Sequence, residues 1–191
     1  MREATRCRWA ETDPLLREYH DKEWGIPVHD DLKLFEFLIL EGAQAGLNWL
    51  IILKKRDAFR TALEGFDPKK IARFSSADVK RLLANREIIR NRLKISAAVT
   101  NARQFISLQD EFGSFNDYIW QFVGGKPIQH RFRSVSSIPD KSKESDRMSD
   151  DLKTRGFKFV GSTICYAFMQ ATGMVNDHVA NCFRYSEVSS R

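Results

Sequence analysis

The stretch Leu40–Arg56, LEGAQAGLNWLIILKKR, is the part of the sequence that decides which fold to expect. A helix beginning at Asp30 or Asp31 would place Glu41 on the same face as three large apolar residues, because side chains three, four and seven positions apart share a helix face. These apolar residues are Leu34, Phe37 and Leu38. An unpaired carboxylate is costly to bury, so a glutamate on a buried face is expected to have a partner or a function.

The pair Gly46 and Leu47 predicts a turn that ends this helix, because glycine adopts the left-handed conformation found at helix ends. Asn48 can then cap a second helix that begins at Trp49. A buried acid, a turn, an exposed leucine and an aromatic ring therefore lie close together in sequence, which indicates a functional site. Two alternatives stay open: Glu41 faces solvent or pairs with a nearby arginine, and the glycines only punctuate helices.

The composition indicates a globular chain and favours a polyanionic partner. It has 191 residues, 42% hydrophobic and 29% charged, with a formal net charge of +6. This length favours a single domain over residues 1–191, built from two lobes that share one core. The cysteines are odd in number and widely spaced, which argues against a disulfide scaffold and for a reducing compartment. No apolar run reaches the roughly 18 residues of a membrane span, so we expect no membrane partner.

Almost every periodic segment has the spacing of a helix, which predicts an all-α fold. Asp13 and Ser75 are typical helix caps, whereas Gly65 and Gly113 mark helix ends. The sequence contains no convincing strand hairpin, and one long polar connection covers residues 126–144. The predicted helices cover 13–20, 30–45, 48–64, a short segment from 67, 75–84, 91–111, 114–123, 149–155 and 162–173.

Residues 149–173 form a second distinctive pattern, in which two predicted helices are joined by a connection with Gly156 and Gly161 at its ends. Such a connection can present free backbone N–H groups and a helix N-terminus to a DNA phosphate. Lys158 would add positive charge there. The second helix begins with Ser162 and Thr163. An ordinary αα-hairpin without a ligand has the same pattern, so both interpretations stay open.

Two widely separated pairs of residues could together hold a metal ion. His178 and Cys182 are four positions apart, so on a helix they would lie one turn apart and could share an ion. Cys7 and His20 form the second pair, near the other end of the chain. Two cysteines and two histidines could coordinate Zn²⁺ tetrahedrally with no open position, which indicates a structural site joining the two ends. Histidine and cysteine at this spacing are also common as plain core residues, and spare candidates exist: Cys165, His29 and His130.

Several motifs spread along nearly the whole chain are highly specific in combination, although none is so alone. They are Cys7-x-Trp9, Asp13-Pro-Leu, Tyr19-His20-Asp-x-Glu-Trp24-Gly, Leu40-Glu-Gly-x-Gln-Ala-Gly-Leu-x-Trp49, Leu53-Lys-Lys-Arg, Ile88-Ile-Arg-x-Arg, Arg155-Gly-Phe-Lys-Phe-Val-Gly and Val175-Asn-Asp-His178. With these motifs the sequence resembles the DNA-3-methyladenine glycosylase I (TAG) family of the helix-hairpin-helix DNA glycosylases.

The resemblance implies a helix-hairpin-helix glycosylase fold and release of 3-methyladenine from alkylated double-stranded DNA by a monomeric enzyme of the bacterial cytoplasm. It implies that Glu41 contacts the damaged adenine and that Tyr19 and Trp49 flank it. Trp9 and Trp24 are expected to wall the pocket. It also implies one structural zinc ion, bound by Cys7, His20, His178 and Cys182.

Some residues depart from the pattern that the resemblance leads us to expect. Leu16 stands where we expect a pocket tyrosine, Ala43 where we expect a glutamine and Asn48 where serine is usual, which changes the expected polarity of the pocket. Asn176 occupies the position of an aspartate that assists bond cleavage in many relatives, and the hairpin lacks the lysine of lyase-type relatives. We therefore expect a monofunctional glycosylase that does not cut the DNA strand.

DNA contacts are expected around the turn as well as at the hairpin. Leu47, beside Gly46, is the candidate wedge for the gap left by a flipped nucleotide. The basic run Lys54–Arg56 could touch the backbone, or it could be a solvated helix face. Two rival interpretations remain: a non-catalytic DNA-binding protein, and a zinc-stapled interaction module whose aromatic residues are all core.

Overall fold

The computed structural model describes residues 4–189, which are mostly helical, as the sequence predicts. A 3₁₀-helix, Arg8–Glu11, precedes the first α-helix. None of the helices within the described range is both long and apolar enough to cross a membrane. The α-helices are α1 (Pro14–Lys22), α2 (Asp31–Gln44), α3 (Trp49–Ala62), α4 (Pro68–Ile71), α5 (Ser76–Ala84), α6 (Arg92–Phe112), α7 (Phe115–Trp120), α8 (Lys143–Thr154), α9 (Ser162–Ala171) and α10 (Phe183–Ser189).

Helices α2 and α3 confirm the two helices predicted on either side of the turn. The carboxylate of Asp30 caps α2, and the side chain of Asn48 caps α3 by accepting a hydrogen bond from the backbone N–H of Leu50. Gly46 has φ of +75°, a conformation that glycine adopts without strain. The turn therefore forms where the sequence places it.

Helix α8 begins earlier than predicted, at Lys143 rather than Ser149. Ser142 and Ser145 form a capping box, in which each hydroxyl accepts a hydrogen bond from the backbone N–H of the other residue. The motif usually pairs serine with glutamate or glutamine, so two serines give little sequence signal. The polar connection before α8 is correspondingly shorter than 126–144.

The expectation of a purely helical fold is wrong in one detail, because two short strands pair. They are β1 (Ile128–Gln129) and β2 (Val175–Asn176), which run parallel with Ile128 opposite Val175. Two-residue strands leave no periodic pattern in a sequence, so this pairing could not be predicted. It joins the connection before α8 to the segment that follows α9.

Helix α2 lies at the centre of the fold and packs against α3, α6, α7 and α9. The predicted apolar face is confirmed, since Leu34, Phe37 and Leu38 are all buried. At Gly42, an added Cβ would lie 3.4 Å from the Cβ of Phe159, which belongs to the connection between α8 and α9. This close approach brings the last turn of α2 against the α8–α9 pair.

The two ends of the described chain lie side by side. The backbone N–H of Phe183 donates to the carbonyl of Thr5 at 2.9 Å. Gly173 has φ of +69°, and a Cβ there would lie 2.3 Å from the backbone of Ile26, so this contact requires glycine. The N-terminal segment and the segment after α9 are therefore packed directly onto each other.

Candidate active site and metal centre

One cleft brings together Glu41 and all five residues expected to bind the base. It has a volume of about 590 Å³ and lies between helices α1, α2 and α3 on one side and α9 on the other. Part of the connection before α8, including Val135 and Asp140, also lines it. The five expected residues are Leu16, Tyr19, Trp49, Trp9 and Trp24.

Glu41 is buried in this cleft without a partner. It is 4% exposed, and its side chain forms no hydrogen bond or ion pair with any residue in the described range 4–189. Burial raises the pKa of its carboxyl group to about 8. The nearby Arg56 pairs instead with Glu23 and Glu36. Both alternatives for Glu41, a surface position and a pair with arginine, are therefore excluded.

Four aromatic rings form one continuous wall of the cleft. The ring centroids of Tyr19 and Trp49 lie 5.5 Å apart at 51°, and those of Trp9 and Trp24 lie 5.1 Å apart at 81°. Tyr19 and Trp49 thus contact each other as an aromatic pair and do not face each other across a gap. The indole N–H of Trp49 is buried and has no hydrogen-bond acceptor in the described part of the chain. The wall therefore offers ring faces and one unused donor to a ligand.

The predicted metal set forms a compact buried cluster. The ligand atoms of its four residues lie within 4.8 Å of one another. Cys182 Sγ lies 3.4 Å from His20 Nε2 and 3.6 Å from His178 Nδ1, and Cys7 Sγ lies 3.8 Å from His178 Nδ1. Bonds of about 2.3 Å to sulfur and 2.0 Å to nitrogen, in a tetrahedron, put the two atoms about 3.5 Å apart. The cluster therefore fits a tetrahedral metal ion.

The second nitrogen of each imidazole also has the partner that a metal site requires. His20 Nδ1 lies 2.7 Å from a carboxylate oxygen of Asp21, and His178 Nε2 lies 3.1 Å from the carbonyl oxygen of Trp24. Such contacts fix the ring orientation and leave the other nitrogen free to bind a metal. Two ordinary core histidines would not require this arrangement.

The pKa values of the two cysteine thiols are shifted in opposite directions. A hydrogen bond from Cys7 lowers the pKa of the Cys182 thiol, and His178 and His20 lower it further. The same sulfur pair, together with burial, raises the pKa of Cys7. One thiolate is therefore already favoured in the cluster, and a bound cation would favour the second.

One detail of the metal prediction is wrong, because His178 and Cys182 do not lie on a helix. Strand β2 ends at Asn176 and α10 begins at Phe183. The segment between them bends, with the backbone N–H of Cys182 donating to the carbonyl of Val179 at 2.8 Å. A turn, and not helical periodicity, brings the two ligands together.

The predicted hairpin consists of α8, residues 155–161 and α9, and its two helices pack against each other. Gly156 has φ of +89°, whereas Gly161 caps α9 without a side chain and leaves open space around its α-carbon. The hydroxyl of Ser162 hydrogen bonds to Asp146. Groups available to an anion at the start of α9 are therefore the backbone N–H groups of its first turn.

The remaining expected DNA contacts lie at two places. Thr163 is exposed and lines the cleft, and Lys158 is exposed on the hairpin connection. Gly46 and Leu47 are exposed at the turn between α2 and α3, with Leu47 37% exposed. They lie outside the lining of the cleft, as a wedge next to a base pocket would.

The three residues of the basic run Lys54–Arg56 lie in three different environments. Arg56 is buried in ion pairs and cannot reach DNA. Lys54 is exposed and lies 3.5 Å from Asp13. Lys55 donates to the backbone carbonyl of Glu87 at 2.9 Å. Neither alternative for the basic run, contact with the DNA backbone or a solvated helix face, therefore applies to Arg56.

Sequence reasoning missed a buried carboxylate behind the cleft. Asp177 is 1% exposed and accepts hydrogen bonds at 2.7 Å from the hydroxyl of Tyr166 and the side-chain amide of Gln170, both of which line the cleft. Its other oxygen lies 2.6 Å from His130, whose pKa it raises. The sequence offered one signal for this network: Tyr166 and Gln170 are four positions apart, which puts both polar side chains on one face of α9.

Asn176, where many relatives are expected to carry an aspartate, points away from the cleft. Its amide nitrogen donates to Gln129, Tyr185 and Ser189, and its oxygen accepts from the backbone N–H of His178. The side chain is thus fully engaged in holding β1, β2 and α10 together.

Sequence comparison relates this site to known proteins. The sequence model of the methyladenine glycosylase family matches residues 9–185, which include the cleft and all but one of the metal-cluster residues. The chain belongs to this family. DNA-3-methyladenine glycosylase 1 of Escherichia coli strain K12 is 48% identical to it over 180 residues, which cover 94% of this chain and 96% of the relative.

Solved structures agree with the family assignment. A crystal structure of 3-methyladenine DNA glycosylase I superimposes with a TM-score of 0.91 at 50% identity, covering 94% of this chain and 98% of the other. A tyrosine-to-phenylalanine variant of such an enzyme, in complex with 3-methyladenine, gives a TM-score of 0.90 at 34% identity, covering 93% and 96%. The methyladenine glycosylase fold therefore extends over nearly the whole chain.

Proposed function

We propose that this chain is a monofunctional DNA glycosylase that flips 3-methyladenine out of alkylated double-stranded DNA and hydrolyses its glycosidic bond. The observation that carries this proposal is the buried, unpartnered carboxylate of Glu41 beside an aromatic wall. A pocket of this kind suits a flat cationic base better than a neutral one. The solved relative in complex with 3-methyladenine supports the same ligand.

The chemistry requires little from the protein beyond binding and selection. A base inside a duplex cannot be reached, so the nucleotide must rotate into the cleft. Methylation at N3 gives the adenine a positive charge, so the base can leave with the electron pair of the glycosidic bond as a neutral molecule. A water molecule adds its hydroxyl to C1′, and its remaining proton goes to solvent. No buried acid is needed to protonate this leaving group, which agrees with Asn176 pointing away from the cleft.

Glu41 then selects the damaged base. Its carboxylate accepts hydrogen bonds from the adenine amino group and interacts favourably with the positive charge. The ring faces of Tyr19 and Trp49 add about 0.5–2 kcal/mol each through cation–π contact. Trp9, Trp24 and Leu16 exclude water from the rest of the base. Normal adenine has the same amino group but lacks the positive charge, so it gains neither the attraction to the carboxylate charge nor the cation–π contacts.

DNA binding surrounds this pocket on two sides. Leu47 fills the gap left in the duplex, and Gly46 lets the backbone of the turn approach the DNA closely. The α8–α9 pair acts as the helix-hairpin-helix element. Its phosphate contacts come from Gly156, Lys158, Gly161, Ser162 and Thr163.

We also propose that one structural Zn²⁺ ion is bound by the Cys7, His20, His178 and Cys182 cluster. The closed set of two sulfurs and two nitrogens leaves no coordination position for substrate, so the ion holds the ends of the chain together and takes no part in hydrolysis. Residues 1–191 then act as a single glycosylase domain, and the enzyme acts as a monomer.

The direct test is the release of free 3-methyladenine from methylated duplex DNA, measured by chromatography under single-turnover conditions. The wild-type protein is expected to release the base. Glu41→Gln should excise more slowly because the charge is lost, and Glu41→Ala more slowly still because the acceptor is lost as well. Glu18→Gln, a change at an exposed glutamate of α1, is the matched control and should leave the rate unchanged. No release by the wild-type protein would overturn the proposal, and a wild-type rate from Glu41→Ala would remove Glu41 from it.

A further inference from the structure

Basic side chains gather on the surface beside the Gly46–Leu47 turn. Arg86 and Arg90 lie in the short segment between α5 and α6, Arg92 is the first residue of α6, and all three are exposed. None of their guanidinium groups forms an ion pair or a hydrogen bond with the residues described, 4–189. By contrast, Arg60 and Arg155 on the same molecule are held by carboxylates. With Glu87 as its one acidic residue, the stretch 85–92 therefore carries a net charge of +2.

Two of these arginines, Arg86 and Arg90, line a wide, open groove. The groove has a volume of about 580 Å³ and is lined by Lys55, Arg86 and Arg90 together with three aliphatic residues. The aliphatic residues are Leu83, Ile88 and Ile89. We call this feature the basic groove. Cationic and aliphatic side chains in one groove suit a phosphodiester chain, because the phosphates can meet the cations while the deoxyribose rings contact the aliphatic side chains.

Contacts on both sides fix the basic groove next to the turn. Lys55 of α3 donates to the carbonyl oxygens of Glu87, at 2.9 Å, and Arg86, at 3.4 Å. Lys94, in the first turn of α6, donates to the carbonyl oxygens of Ala43 and Ala45 at the end of α2. The segment between α5 and α6 is thus tied to the two helices that flank the turn.

The basic groove also lies on the same side of the molecule as the wedge. Ile51 and Lys55 are four positions apart on α3 and so share a helix face, and Leu47 lies in the turn directly before this helix. Leu47 and Ile51 are 37% and 40% exposed. At 1.5 Å per residue, Lys55 lies about 9 Å along α3 from Trp49, the first residue of the helix after the turn, which corresponds to a rise of two to three nucleotides along one strand of a duplex.

We propose that the basic groove binds the phosphodiester backbone of the DNA a few nucleotides from the position where Leu47 enters the duplex. The inference rests on the proposed function, since the partner is the same DNA molecule. It adds a second anchoring surface, separate from the hairpin. With a backbone contact on each side of the wedge, the duplex is held while one nucleotide leaves the stack.

The test compares two double variants that each remove two positive charges. Arg86→Gln/Arg90→Gln neutralises the basic groove. Lys69→Gln/Lys70→Gln is the matched control on α4, where both lysines are exposed and take part in no ion pair within the described chain. Arg103 of α6 donates to the carbonyl of Ala72, directly after α4, which places the control about 16 Å along α6 from Arg92.

Binding to an undamaged duplex is measured by fluorescence anisotropy at several KCl concentrations, with thermal unfolding as a check that each variant is folded. Log affinity falls linearly with log salt concentration, and each lost phosphate contact makes this slope less steep by about 0.9. The groove variant is expected to lose one to two contacts and to bind several-fold more weakly at low salt, whereas the control keeps the wild-type slope. A wild-type slope in the groove variant, or equal losses in both variants, overturns the proposal.

Base release by the same preparations separates the two proposals. If the groove variant excises the base and binds DNA as the wild-type protein does, the proposal for the basic groove is wrong and the proposed function stands. If the groove variant binds DNA more weakly but the wild-type protein releases no base, the groove remains a DNA-binding surface and the proposed glycosylase activity is wrong. Arg90→Lys keeps the charge and should retain most of the affinity of the wild-type protein.

Discussion

Lys94 holds the end of helix α2 through a 2.6 Å hydrogen bond to the carbonyl oxygen of Ala45. Its ammonium group also donates to the carbonyl of Ala43 at 2.8 Å, and its burial lowers its pKa. Glu41 lies in the last turn of α2, and Leu47 lies in the turn that follows. One side chain from α6 therefore fixes the segment that carries both the pocket carboxylate and the candidate wedge.

Replacing Lys94 by methionine should loosen this segment. Methionine keeps most of the apolar stem but cannot donate, so two carbonyl groups lose their charged partner. We expect the free energy of unfolding to fall by about 1–3 kcal/mol and excision to slow, both measured on the same preparation. Lys80→Met, at an exposed lysine of α5, is the control. Unchanged stability and unchanged excision in Lys94→Met would show that the contact is dispensable.

Glu41 should make the stability of the protein depend on pH. Its pKa is about 8 in the folded state and 4.5 in the absence of burial. The folded protein therefore keeps this proton at pH values where the unfolded chain has lost it, so the contribution of Glu41 is most favourable below about pH 4.5 and declines as pH rises to about 8. Each pKa unit corresponds to about 1.4 kcal/mol, so the decline amounts to a few kcal/mol.

Glu41→Gln cannot ionise and provides the comparison. The stability of this variant relative to wild type is expected to be larger at pH 8.5 than at pH 5, measured by chemical denaturation. The wild-type rate of excision should rise over the same range if the ionised carboxylate is the form that recognises the cation. A stability difference that is independent of pH would contradict an isolated buried carboxyl group at this position.

The metal cluster should determine stability more than activity. Cys182→Ala removes one ligand, so we expect loss of bound zinc and a fall of several kcal/mol in the free energy of unfolding, because metal binding is coupled to folding. Cys165→Ala is the matched control, since Cys165 is buried but lies outside the cluster and donates only to the carbonyl of Val160. Elemental analysis before and after chelation checks the metal content. Protein that contains no zinc and is unaffected by chelators would refute the site.

Gly161 offers a clean test of the hairpin, because a Cβ added there meets no atom within 4 Å. Gly161→Val should therefore fold normally while its side chain blocks the approach of a phosphate to the start of α9. We expect affinity for damaged and undamaged duplexes to fall by the same factor, since phosphate contacts carry no information about the lesion. If only damaged DNA lost affinity, the hairpin would belong to the base pocket.

The sequence predicted those parts of the structure that depend on local patterns. The buried face of α2, the turn at Gly46 and the cap at Asn48 each follow from residues within one or two helical turns of each other. The metal set could also be named, because cysteine and histidine are few and have distinctive chemistry.

Contacts between distant segments could not be predicted. Lys94 is far from Ala45 in sequence, and nothing in its surroundings distinguishes it from the exposed Arg92 in the same turn of α6. Asp177 was similarly hidden, because its partners Tyr166 and His130 lie on α9 and after β1. Only the folded chain shows which of several polar residues loses its water and requires these partners.

The position of the metal cluster has a mechanical consequence. Nearly the whole polypeptide lies between Cys7 and Cys182, so an ion held by both residues converts the chain into a closed ring. A force applied to the two termini would extend α10, which lies outside the ring, and would then act on the metal–sulfur bonds, while the helices inside the ring would carry no load until one of those bonds broke. Unfolding of the helices inside the ring by force would then begin with release of the ion, at the same place in every molecule.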